Sequence, residues 1–227
     1  MPNPNSAPAA VYRGVLLDLD GTIVDHFDTL YRCYRETFEH LGLDPPDGPT
    51  VRRSVGGSME ITMSKLVAQP ELREKAANWW RQHFTAIYLD DVKPMPGALW
   101  MLRELAARGL ILGVLTNKIG EQSRGICTHL GFDPYLKFVI GANDTGYRKP
   151  QREFSELALM RLGVAAEEAV LVGDSPYDIE AARHLGIHAP CVTTGTHSAE
   201  ELRAAGADAI YEDLYTLGEA VFGLKTP

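Results

Sequence analysis

The residues with the clearest chemical potential stand in Asp18-Leu19-Asp20-Gly21-Thr22, directly after the apolar run Val15-Leu16-Leu17. Such a run reads as a strand buried on both faces. Residues two apart at its end project the same way, so the carboxylates of Asp18 and Asp20 can converge. Two carboxylates at close range repel, so either one keeps its proton or a cation lies between them, and hard oxygen ligands suit Mg2+. The plainer alternative is that both aspartates cap a turn.

Three further polar groups share that placement. Thr116-Asn117-Lys118 follows the apolar run Leu110 to Leu115, Gly173-Asp174-Ser175 follows Ala169 to Val172, and Lys149-Pro150 lies in the loop after Phe138-Val139-Ile140. Thr116 could hold phosphoryl oxygens or cap a helix. Asp174 has the placement of a metal ligand; Asp178, in the first turn of the next helix, either supports it or favours the helix N-terminus. Lys149 could neutralise a transferred phosphoryl group or the charge on Asp18, or stand solvated.

These groups converge only if the strands are parallel. From residue 93 the pattern alternates helix with short bounded apolar runs, ending in shorter strands near His188 to Val192 and Ala209 to Tyr211. That alternation predicts right-handed crossovers and a doubly wound parallel α/β sheet of Rossmann-like form, in which ligands bind outside the carboxyl ends of the strands. Between residues 26 and 92 no strand pattern occurs. Phe27, Leu30, Tyr31, Tyr34, Phe38 and Leu41 recur at helical spacing with Gly42 to stop them. A second helix is expected from Ser58, with Ile61, Met63, Leu66 and Val67 in its core, and a third from near Pro70. The expected organisation is a loose tail over residues 1–10, an α/β domain over 11–25 and 93–227, and an inserted all-helical block over 26–92. Trp79 and Trp80 are either a stacking platform for a ring-bearing substrate or core packing of that block.

Composition narrows the function classes. Of 227 residues, 45% are hydrophobic and 23% charged, which is ordinary for a globular protein. A net charge of −8 offers no basic field for nucleic acid or an anionic membrane, while a metal or local cations could still admit a small anion to one cleft. Cys33, Cys127 and Cys191 are scattered, which suits a reducing compartment and core-filling roles. The first ten residues lack a basic and apolar signal pattern, and no apolar run has transmembrane length, so a cytoplasmic location is expected.

Asp18-Leu19-Asp20-Gly21-Thr22, Leu115-Thr116-Asn117-Lys118, Lys149-Pro150 and Gly173-Asp174-Ser175-Pro176-Tyr177-Asp178 together resemble the four signature motifs of the haloacid dehalogenase superfamily. The helical insertion resembles the class I cap of its phosphoglycolate phosphatase-like branch. The resemblance implies Asp18 as a nucleophile that forms an aspartyl-phosphate and Asp20 as general acid/base. It further implies Thr116, Asn117 and Lys149 around the phosphoryl group, and Mg2+ held by Asp174 with Asp178 in support, alongside Asp18 and the backbone carbonyl of Asp20. An aspartate at position 20 favours phosphate esters, since relatives that attack carbon–halogen or carbon–phosphorus bonds typically lack it. Arg152 stands where many relatives carry proline.

The implied activity is a Mg2+-dependent phosphatase acting on a small phosphorylated metabolite, phosphoglycolate foremost, as a monomer or homodimer. A phosphomutase, a pyrophosphatase and a non-catalytic phosphate sensor are the alternatives. For substrate contact from the cap, the stretch Arg52-Arg53-Ser54-Val55-Gly56-Gly57 is the best candidate, with Arg53 and Gly57 singled out, because guanidiniums precede a flexible glycine pair. Its alternative is a solvated helix end and a turn.

Overall fold

The apolar run that carries Asp18 lies at the heart of the sheet. In the computed structural model, which describes residues 12–227, β1 (Gly14–Leu17) has every residue buried. The expected tail over residues 1–10 lies outside the described residues. Val15 and Leu17 face one hydrophobic core and Leu16 the other, the period-two alternation of a strand covered on both sides.

After β1 the chain makes a tight turn into β2 (Val24–Asp25) and enters four helices: α1 (Phe27–His40), α2 (Gly48–Ser54), α3 (Met59–Leu66) and α4 (Pro70–Ile87). They bury their own core around Cys33, Phe38, Val51, Met63, Trp80 and Phe84. The sequence offers helix α2 only as the helix end in the alternative reading of Arg52 to Gly57, with no start assigned to it. Asp47-Gly48-Pro49 carries turn residues, yet Asp47 Oδ1 accepts a hydrogen bond from Thr50 N at 2.8 Å and Pro49 fits the first turn, so the same residues start a helix. Ile61 departs from its expected place in the core: it is 42% exposed, and Thr62 and Met63 turn inward instead. Trp79 stacks between His40 and His83 on the outer side of α4, while Trp80 is buried against Phe84 at 4.5 Å between centroids.

The chain returns through β3 (Lys93–Pro94), which pairs antiparallel with β2, so the outgoing and incoming crossings lie side by side. Then follow α5 (Ala98–Ala107), β4 (Ile111–Thr116), α6 (Gly120–His129), β5 (Leu136–Gly141), α7 (Arg152–Leu162), β6 (Ala169–Val172) and α8 (Pro176–Leu185). The sheet is parallel in the order β5-β4-β1-β6. Beyond β6 it is continued by β7 (Pro190–Val192), α9 (Ala199–Ala205), β8 (Ala209–Tyr211) and α10 (Leu214–Phe222). Leu171 N donates to His188 O and Val192 N to Gly173 O, and these two bonds join the β7–β8 pair to β6. Helices α5, α6 and α10 cover one face, and α7 and α8 the other. This is the expected doubly wound α/β architecture, with the helical block entering after the first strand.

Pro96 stands outside the helix, because Gly97 at positive φ makes the turn that starts it. Leu99 is 42% exposed, whereas Leu102 has no exposed surface. All three cysteines are unpaired and buried, as core-filling residues should be. From the burial contrast within α5, Leu102→Ala should cost about 2–5 kcal/mol in urea unfolding and Leu99→Ala less than about 1 kcal/mol. Equal losses would contradict the helix orientation.

Candidate functional site

The four strand ends do meet. Asp18 N donates to Val172 O at 2.9 Å, extending the β1–β6 ladder one residue and bringing the Asp18 side chain to the β6 end. The turn after it is held by the Leu19 carbonyl, which accepts from the backbone N–H of Thr22, Ile23 and Val24. Gly21 has φ of +83°, and a Cβ there would come within 2.8 Å of Asp174 Oδ2, so both conformation and space require glycine.

Around this turn lies a buried ionic cluster. Lys149 Nζ is 2.7 Å from Asp18 Oδ1 and 2.6 Å from Asp178 Oδ1. One carboxylate oxygen each of Asp18, Asp174 and Asp178 lies within 4.8 Å of the others. Asp178 is fully engaged, since its Oδ2 accepts from Ser175 N at 3.1 Å and Ser175 Oγ at 2.6 Å. Asp174 accepts from Thr22 Oγ1 at 3.2 Å and Thr196 N at 3.1 Å. Asn117 spans the loop: its side chain donates to Lys149 O at 3.1 Å and accepts from Lys149 N at 2.8 Å. That double contact positions the Lys149 backbone. Thr116 is buried at the end of β4 and lines the same cavity.

The two aspartates of the first turn live in different fields. Burial pushes the Asp18 carboxyl up to about 6, with Lys149 opposing and Asp178 adding to the rise. Asp174 is raised well above the usual carboxylate range by burial and by the charges of Asp18 and Asp178. Lys149 moves upward despite its burial, because Asp178 and Asp18 flank it. Burial also acts on Asp20, yet Lys118 Nζ at 2.9 Å and His26 outweigh it and hold the carboxyl well below its ordinary value. His26 is buried with its Nδ1 3.5 Å from Asp20 Oδ1, and burial pushes its imidazole down.

Three buried carboxylates against one buried ammonium leave an uncompensated negative charge, which a cation would offset. The all-oxygen donor set fits a hard divalent ion. The side chain of Asp20 stands apart from this cluster, paired with Lys118.

The cluster opens into a cavity of about 650 Å3 between the helical block and the strand ends. Gly57 lines it, and a Cβ at that position would meet Tyr177 Oη at 3.0 Å. Arg53 does not line it: it is exposed on α2, and Arg52 takes the cavity side, because successive residues of a helix point about 100° apart. Several residues were missed. Lys118 and Ser175 stood within the inspected motifs without an assigned role. The loop after β7 followed the same rule, polar residues beyond a strand end, and was passed over. There Thr194 Oγ1 donates to Gly21 O at 2.6 Å, and a Cβ on Gly195 would overlap the Asp174 carboxylate. His26 carried no signal of its own.

Comparison with known proteins places this geometry. The family model described as haloacid dehalogenase-like hydrolase matches residues 15–192. The chain is 32% identical to a phosphoglycolate phosphatase from Rhodospirillum rubrum, over 91% of this chain and 90% of that one. It is 30% identical to a 5'-nucleotidase from Pseudomonas aeruginosa, over 85% and 88% of the two chains. Its fold is shared with a haloacid dehalogenase-like family hydrolase from Streptococcus pneumoniae at a TM-score of 0.84 and 23% identity, covering 92% of this chain and 98% of that one.

The charge imbalance sets a pH dependence. With its pKa raised, folded Asp18 binds a proton that the unfolded chain has already released between about pH 4 and 6. Its contribution to stability therefore falls as pH rises through that window. In EDTA, Asp18→Asn should gain stability over the wild type as pH climbs from about 4 to 7, by roughly 1–3 kcal/mol in denaturant titrations. A difference that stays flat across the window would refute the buried-charge account.

Proposed function

The chain belongs to the haloacid dehalogenase-like hydrolase family as one of its phosphatases, and from that premise we propose a Mg2+-dependent phosphomonoesterase that works through an aspartyl-phosphate. The observation that supports this most is the contact of Asp18, at the end of β1, with Lys149 beside Asp174 and Asp178. In this reading Asp18 attacks phosphorus, the phosphorus–oxygen bond to the leaving alcohol breaks, and water then hydrolyses the acyl phosphate. Lys149 and Thr116 bind the phosphoryl oxygens, and Lys149 offsets the repulsion between an anionic nucleophile and an anionic ester.

Asp20 serves as the acid/base. Lys118 holds it ionised in the resting site, which is the form that takes a proton from the attacking water. To protonate the leaving oxygen first, it must take a proton from solvent, which it can do as the entering phosphate draws the Lys118 ammonium away. Asp18 and Asp174, with the Asp20 carbonyl, would hold the Mg2+ ion, with Asp178 in support through Lys149. When bound, the ion neutralises charge on the transferring group and keeps Asp18 ionised.

The helical block acts as a cap over the cavity, and Val24 to Phe27 and Asp91 to Pro96 are its proposed hinges. A net charge of −8 supports a small metabolite as the substrate rather than nucleic acid or a membrane. The names of the relatives put phosphoglycolate and nucleoside monophosphates first on a substrate panel.

Phosphate release from that panel, with pyrophosphate included, tests the reading. It should require Mg2+, stop with EDTA, and fall roughly a thousandfold or more in Asp18→Asn. Release that survives Asp18→Asn would overturn the covalent step. Gly195→Ala should weaken Mg2+ binding by at least about tenfold in calorimetry, because the methyl group displaces the Asp174 carboxylate.

A further inference from the structure

We propose that the leaving group of the substrate carries a flat ring with hydrogen-bond acceptors, as in a nucleoside 5'-monophosphate, and that Arg52 and Trp80 of the helical block select it. The proposal rests on the phosphatase reading and narrows its substrate.

Cavity size and wall chemistry supply the first argument. A volume of about 650 Å3 lies in the range of roughly 300–1,000 Å3 that takes ligands of many atoms, far beyond a two-carbon acid. On the helical side the wall includes an apolar stretch of Phe27, Leu30, Val55, Met59 and Trp80. Glycolate is polar throughout and would leave that wall facing water, whereas a ring buries it.

The cations of the cavity supply the second argument. Lys118 pairs with Asp20 at 2.9 Å and Lys149 with Asp18 at 2.7 Å. Arg81 pairs with Glu60 at 2.7 Å, and Arg148 approaches the same carboxylate at 3.8 Å. Arg52 differs from them: among the described residues it meets no carboxylate, and its Cζ lies 3.8 Å from the centroid of the Phe27 ring. With one face of the guanidinium on Phe27, a planar platform and a fork of N–H donors remain.

Trp80 supplies the third. It lines the cavity at 6% exposure, and its buried Nε1–H meets no acceptor among the described residues. That N–H is enclosed, so what Trp80 offers the cavity is ring surface. A guanidinium without a carboxylate partner and an apolar stretch of wall together describe a flat, acceptor-bearing body. A carboxylate alone would answer Arg52 and leave the wall and the volume unfilled.

The test compares AMP and UMP with ribose 5-phosphate, which keeps the sugar and phosphate but lacks the ring, and with phosphoglycolate. Steady-state kinetics of the full-length protein in Mg2+ supply the readout. The wild type should prefer the nucleotides over both others by about tenfold or more in kcat/KM, chiefly through KM. Arg52→Ala should bring the nucleotide to ribose 5-phosphate ratio to within about twofold of one, and Arg52→Lys should not restore it, since an ammonium keeps the charge but not the plane. Trp80→Phe, which keeps a ring in the core but offers the cavity a smaller one, should reduce the ratio in part.

Merely structural damage would lower all substrates together and leave the ratio intact. That outcome, or equal turnover of ribose 5-phosphate or phosphoglycolate by the wild type, overturns the proposal. If no compound releases phosphate, the phosphatase reading fails on its own. Calorimetric binding of AMP against ribose 5-phosphate then decides the ring: tighter AMP binding that Arg52→Ala removes supports it, and equal or absent binding overturns it.

Discussion

The placement of Lys149 between Asp18 and Asp178 is the contact on which the rest of the site depends. An ammonium and carboxylates this deep repay their desolvation only if each stays within hydrogen-bonding range of its partner, and loss of one partner strands the others. Each member is accordingly held by a group at a different strand end. The β1–β6 ladder fixes Asp18, Asn117 at the end of β4 clasps both backbone groups of Lys149, and Ser175 at the start of α8 holds Asp178. The parallel register of the sheet is therefore part of the chemistry, because sliding one strand would separate charges that cannot stand alone.

The helical block adds enclosure without sharing that dependence. Its core of Phe38, Met63, Trp80 and Phe84 is separate from the two that cover the sheet. It nevertheless approaches the reaction centre, where the Phe84 ring lies 4.9 Å from Lys118 Nζ and 5.4 Å from the His26 ring. An apolar surface beside Lys118 lowers the local dielectric and strengthens the pairing with Asp20. Residues farther out on the same wall, such as Val55 and Met59, can differ in shape without touching the charges, so substrate choice and bond-breaking are separable in this architecture.

Much of this was legible in the sequence because it depends on local rules. Apolar runs bounded by turn residues marked the main strands, and the polar residues after them marked Asp18, Thr116, Lys149 and Asp174 as one edge. The features that escaped depend on contacts between distant segments. Helix α2 hid behind Asp47-Gly48-Pro49, which initiates turns and helices alike. The choice between Arg52 and Arg53 hangs on the rotation of α2 against α1, which two adjacent arginines do not reveal. Ile61 and Leu99 are apolar residues left largely exposed on their helices, an outcome that packing decides. The loop holding Thr194 to Thr196 was in principle readable, but β7 is only three residues long, and a strand that short draws little notice to the residues beyond it.

Asp18 and Asp20 share one turn and yet are driven in opposite directions. Asp18 is pressed upward by burial beside Asp178, while Asp20 is drawn down by Lys118. Opposed shifts of this kind separate two chemically identical groups into different tasks. The ionised, partly exposed Asp20 suits proton exchange with water or an alcohol. Asp18 already has the Lys149 ammonium 2.7 Å away, and in the proposed mechanism a bound cation would draw its carboxyl further down, so that cation binding favours the ionised form of the nucleophile.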